Sequence, residues 1–173
     1  LDYSAVAKGP CEKQCSGGQV ALTGGESNSG GGGDVTISGG SSAGSSLDST
    51  GGNVLISGGH GVGTAAAGGA IVLTSGSGGN RASGDTIVQT GHGDGAPSGD
   101  LLLKTGTATV SGSGTLRLET GVAESGTGGD VEVMVGSSMA GNGGSFRLQA
   151  GSGAGVGAFG GSVYITTGGN EEG

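Results

Sequence analysis

Gly129-Asp130-Val131-Glu132-Val133-Met134-Val135-Gly136 decides how the chain is read, because its frame returns ten times and little lies outside the copies and the loops between them. With h for an apolar residue, the frame is Gly-x-h-x-h-x-x-Gly. It opens at Gly18, Gly33, Gly52, Gly69, Gly84, Gly99, Gly114, Gly129, Gly144 and Gly161. It closes at Gly25, Gly40, Gly59, Gly76, Gly91, Gly106, Gly121, Gly136, Gly151 and Gly168. Openings lie 15, 19, 17, 15, 15, 15, 15, 15 and 17 residues apart, which is the mark of a repeat architecture with a few longer returns.

Nineteen of the twenty h positions are apolar, Thr86 being the exception, and many are β-branched. Apolar residues two apart, fenced by glycine, predict a five-residue strand with one buried face. One such strand cannot bury itself, but ten stacked in parallel would form a continuous core. The expected fold is therefore all-β: a parallel β-solenoid of about ten short rungs, one repeat of about 15 residues per coil, roughly 48 Å long. In that arrangement the glycines serve crowded corners and positive-φ exits from each strand. Neighbour stacking would set Lys104 beside Glu119 and make an alternating ladder of Arg117, Glu132 and Arg147. Stacking of alternate repeats would instead oppose Arg117 to Arg147, so one repeat per coil is the reading favoured.

Composition agrees with a one-dimensional core rather than a globular one: 48 glycines, two phenylalanines, two tyrosines and no tryptophan in 173 residues. Glycine follows no strict three-residue period, which excludes collagen, and the in-phase apolar pairs argue against a flexible linker. A net charge of −8 with six Lys/Arg offers no basic surface for nucleic acid. No run approaches the 18 apolar residues of a membrane span. The chain starts at Leu1 without an initiator Met or a charged-then-apolar leader, which reads as a processed product or a piece of something longer.

Three regions follow. Residues 1–17 carry Cys11 and Cys15 and form a cap or linker; residues 18–168 hold the repeats; residues 169–173 are a polar tail. The two cysteines, four apart, are open to a local disulfide, to pairing elsewhere, or to half of a metal site; with no further Cys/His nearby, a disulfide in a secreted chain is favoured. Repeats three to six place Leu55, Val72, Ile87 and Leu102 at the outward position that should be solvated. Such an apolar stripe predicts a cover: an interface with another subunit or module is favoured, and a long return loop folding over it is the alternative.

Other candidate sites are weaker. Asp34, Asp85, Asp100 and Asp130 follow opening glycines, as in calcium-binding rolls, but the nine-residue spacing is missing and turn hydrogen bonding explains them better. Thr90, Thr105, Thr120 and Thr167 form a column before the closing glycine. A single threonine column falls short of the paired columns of ice-binding faces, and threonines bonding one another account for it. His60 and His92 sit in Gly-His-Gly with no nucleophile or carboxylate at a diagnostic spacing. No catalytic residue, cofactor or metal is expected, and the chain does not read as an enzyme.

The runs Gly33-Asp34-Val35-Thr36-Ile37-Ser38-Gly39-Gly40 and Gly52-Asn53-Val54-Leu55-Ile56-Ser57-Gly58-Gly59 resemble the Gly/Ser-rich repeats in secreted proteins of heterokont algae. These include the mastigoneme proteins, which build flagellar hairs, and the sexually induced proteins of diatoms. The resemblance covers residues 18–168. Those proteins also carry cysteine-rich, growth-factor-like modules, to which only Cys11 and Cys15 could belong here. The resemblance implies an extracellular structural subunit of a filament, partnered by itself or by other filament subunits, with glycans on its Ser/Thr-rich returns left open. The alternative is a surface-binding module for ice or carbohydrate.

Overall fold

The computed structural model describes residues 18–46 and 48–169. The chain divides into two units, Leu1–Val88 and Gln89–Gly173. Residues 1–17, with Cys11 and Cys15, and most of the polar tail lie outside the described residues.

The β-solenoid is not found. Among the described residues there is no strand and no helix, so no sheet exists for the ten frames to stack into. Backbone hydrogen bonds between successive frames run only between their glycine ends, never along their length. No described residue is buried. The apolar alternation persists in muted form: Val54 is 49% exposed, Leu55 88% and Ile56 63%. Fixing the backbone costs about 1–2 kcal/mol per residue, whereas complete burial of a valine or leucine contributes about 1.5–3 kcal/mol. With two such side chains per frame, each about half or more in water, burial does not hold a five-residue strand within one chain.

What the repeats do build is a series of closed returns. The N–H of an opening glycine donates to the carbonyl of the preceding closing glycine six times: Gly33 to Gly25 (2.8 Å), Gly52 to Gly40 (2.8 Å), Gly69 to Gly59 (2.8 Å), Gly84 to Gly76 (2.9 Å), Gly144 to Gly136 (3.2 Å) and Gly161 to Gly151 (2.8 Å). Each bond draws together the two ends of a loop, so the frame spacing read from the sequence becomes the spacing of loop bases. Above the base the chain bends at 79–81, 94–96, 109–111, 124–126 and 139–141, once per 15 residues.

Local chemistry shapes the rest of each return. Ser27 and Ser138 stand two residues after a closing glycine, and their hydroxyls accept from Gly30 N–H and Gly141 N–H at 2.9 Å, the geometry of a serine turn. The two returns of the 17-residue repeats share another solution: Gly63 (φ 134°) and Gly155 (φ 133°) occupy equivalent places, and their carbonyls accept from Ala66 N–H and Ala158 N–H at 3.3 and 3.2 Å. Among the described residues, positive φ is confined to return glycines such as these. The opening and closing glycines do not adopt it, contrary to the expectation from sequence.

Candidate functional site: the return corners

Among the described residues, the most enclosed positions lie in the returns and at their bases, not along the apolar columns. Gly24, Ser75 and Ala150, each directly before a closing glycine, are half-buried, whereas every described large apolar side chain is exposed. This column before the closing glycine reads Gly24, Gly39, Gly58, Ser75, Thr90, Thr105, Thr120, Val135, Ala150 and Thr167. Its identity grades the corner.

Where the column holds glycine, the backbone of the next opening glycine lies directly against it. A methyl built on Gly24, Gly39 or Gly58 would overlap the carbonyl of Gly33, Gly52 or Gly69. All three corners close with a bond of 2.8 Å. Serine and alanine are also compatible with closure, at 2.9 Å beside Ser75 and 2.8 Å beside Ala150. Val135 stretches the bond to 3.2 Å, and its Cγ1 would lie 2.6 Å from a methyl on Gly144. Beside Thr90, Thr105 and Thr120 the bond is not made: among the described residues, Gly99, Gly114 and Gly129 do not donate to Gly91, Gly106 and Gly121.

β-branching alone does not account for the open threonine corners, since Val135 is branched in the same way and its corner still closes. A methyl on Gly114 would meet Cβ and Cγ2 of Thr105 at 3.7 Å, and one on Gly129 would meet those of Thr120 at 3.5 Å. The side chains of Thr105 and Thr120 thus stand in ordinary contact with their opening glycines, whereas no atom lies within 4 Å of a methyl on Gly99, beyond Thr90. Branching at Cβ leaves few rotamers by which to withdraw either side chain. In the third such corner the Thr120 hydroxyl donates to the Gly129 carbonyl at 3.1 Å, a side-chain bond where the others have a backbone one. The threonines were expected to bond one another, and that expectation is corrected: among the described residues they do not, and Thr120 alone bonds the backbone of the next frame.

The remaining sequence candidates are placed as follows. Leu55, Val72, Ile87 and Leu102 are 88, 80, 75 and 72% exposed, each in its own frame; with no sheet, no shared strand face aligns them. The ladder of Arg117, Glu132 and Arg147 and the pair of Lys104 with Glu119 are not formed among the described residues. Arg117 instead pairs with Glu119 of its own frame, its Nε donating to Glu119 Oε2 at 2.7 Å. Asp34, Asp85, Asp100 and Asp130 make no side-chain hydrogen bond among the described residues, so the turn role assigned to them is absent. No three His, Cys, Asp or Glu side chains among the described residues stand close enough together to hold a metal ion. No described helix is long and apolar enough to cross a membrane.

The corner grading was missed from sequence, although its signal was present. The column changes from Gly-Gly in the first three repeats to Thr-Gly in the fifth, sixth and seventh within the same eight-residue frame. Compared with family models, with curated proteins and with solved structures, the chain matches none.

Proposed function

We propose that the chain is a structural subunit of an extracellular filament or appendage, associating with copies of itself through its repeated apolar side chains. One observation carries the reading: ten frames of regularly spaced Val, Leu and Ile stay exposed, from Val135 at 45% to Leu55 at 88%. Soluble chains rarely leave so much apolar surface uncovered unless something covers it. The repetition means that another copy offers the same surface at the same intervals. The likeness of the frame to the Gly/Ser-rich repeats of mastigoneme proteins supports the extracellular setting.

Sedimentation velocity and electron microscopy of the full chain over a range of concentrations test this. Growth into regular fibres is the expected result, and Leu55→Asp with Leu102→Asp should reduce it at least tenfold. Persistent single chains at every concentration would sink the proposal. Thermal hysteresis or retention on a polysaccharide by such single chains would favour the surface-binding alternative.

A further inference from the structure

We infer that Asn142 is a site of self-modification, its side-chain amide deamidating through a cyclic imide formed with the backbone nitrogen of Gly143. The site stands apart from the self-association proposed above. The chain has five asparagines, Asn28, Asn53, Asn80, Asn142 and Asn170, and of these Asn142 alone is followed by glycine. Ser29, Val54, Arg81 and Glu171 follow the others.

The reaction joins the Gly143 nitrogen to Cγ of Asn142. That nitrogen gives up its proton as it attacks, and the side-chain amide nitrogen takes up a proton and leaves as ammonia, closing a succinimide ring. Water then opens the ring. Attack of water at the side-chain carbonyl gives aspartate; attack at the main-chain carbonyl gives isoaspartate, in which the backbone runs on through Cβ and Cγ. Water is the sole co-reactant, and nothing is oxidised or reduced.

The structure leaves this path open. Asn142 and Gly143 are both exposed, so water reaches the ring, and no helix or strand fixes the backbone there. Among the described residues neither the Asn142 side chain nor the Gly143 N–H is held by a hydrogen bond. Those conditions are common along the chain, and the glycine is what singles out Asn142. With no Cβ, Gly143 leaves the approach of its nitrogen to Cγ uncrowded, whereas Val54 is branched at Cβ and Arg81 carries a long side chain.

Position gives the reaction a consequence. Asn142 lies within the return 137–143, whose base is the bond from Gly144 N–H to the Gly136 carbonyl at 3.2 Å, the longest of the six. Isoaspartate lengthens the backbone of that return by one carbon, and either product adds a negative charge to a chain of net charge −8. The converted return should lose its tie.

The test holds the full chain in mildly alkaline buffer and follows each asparagine by peptide mapping with mass spectrometry. Asn142 should convert at least tenfold faster than Asn28, Asn53 or Asn80, with isoaspartate among the products. Gly143→Val should slow it at least tenfold. A Cβ at Gly143 meets the Gly136 oxygen at an ordinary 3.8 Å and φ there is not positive, so the return accommodates it. In the converted chain, hydrogen exchange at Gly144 N–H should rise at least threefold while Gly161 N–H stays unchanged. Conversion of Asn142 no faster than that of the other three, or unaffected by Gly143→Val, would overturn the assignment. So would a native chain inert at Asn142 when the urea-unfolded chain reacts, because the return would then hold the two atoms apart.

Discussion

The unit Leu1–Val88 and the unit Gln89–Gly173 are written in the same frame, yet they close their returns differently. In the first, the four returns based on Gly25, Gly40, Gly59 and Gly76 are each tied by a backbone bond of 2.8 or 2.9 Å. In the second, three consecutive returns are untied and two, based on Gly136 and Gly151, are tied at 3.2 and 2.8 Å. Loop length does not separate them, since the tied return from Gly76 to Gly84 spans as many residues as the untied ones. The residue before the closing glycine does. Corners with glycine, serine, alanine or valine at that place close, and the three with threonine do not.

Converting one kind of corner into the other is the strongest way to break this comparison. Gly39→Thr should open the first unit's second return, because the new Cβ overlaps the Gly52 carbonyl. Overpacking of this kind costs about 1–3 kcal/mol. Hydrogen exchange at Gly52 N–H should rise about tenfold while Gly69 N–H stays unchanged; equal exchange at Gly52 in both proteins would mean the corner does not depend on that residue. The opposite conversion, Thr120→Ser, should let Gly129 N–H reach Gly121 and gain about 1 kcal/mol, a usual net value for one hydrogen bond. Exchange at Gly129 should slow about fivefold.

Neighbouring glycines sharpen the point further. Gly40→Ala should change stability by less than about 0.5 kcal/mol, as for an ordinary surface substitution, since nothing lies within 4 Å of the new methyl and φ is not positive. Gly155→Ala, at φ 133°, should cost about 1 kcal/mol or more through backbone strain alone. Equal tolerance at the two sites, measured by exchange at Gly161 N–H and Gly52 N–H, would contradict the distinction between space and conformation. The smallest effect is expected at Arg117→Ala. Its pair with Glu119 is exposed, at 76 and 61%, and such pairs contribute below about 1 kcal/mol and fade with salt. Exchange across residues 116–120 should move by less than about twofold.

The repeat itself was legible in the sequence, because the glycine columns that define it are the residues that meet at the loop bases. The alternation of apolar residues was legible too, and survives in the lower exposure of Val54 and Ile56 than of Leu55. The pairing was not. A period of two states which side chains share a face, but says nothing about whether backbone partners lie alongside, and a five-residue segment fenced by glycines has little to hold it against one. The glycines were assigned both to crowded corners and to positive φ; the frame ends show no positive φ, and the crowding lies one residue before the closing glycine: Gly24, Gly39 and Gly58 lack room for any Cβ, while the closing glycines Gly25, Gly40 and Gly59 have open space around them. The threonine column was noticed for its hydroxyls. One of those hydroxyls, on Thr120, bonds the backbone of the next frame rather than another threonine.

Each tied return is completed by partners eight to twelve positions apart in the chain, as with Gly33 and Gly25 or Gly52 and Gly40. Loops of that span close in roughly 10–100 ns, and none waits on another. Duplicating or deleting one unit during evolution therefore leaves its neighbours' closures untouched, so the number of units can drift between descendants while the grammar of each is retained.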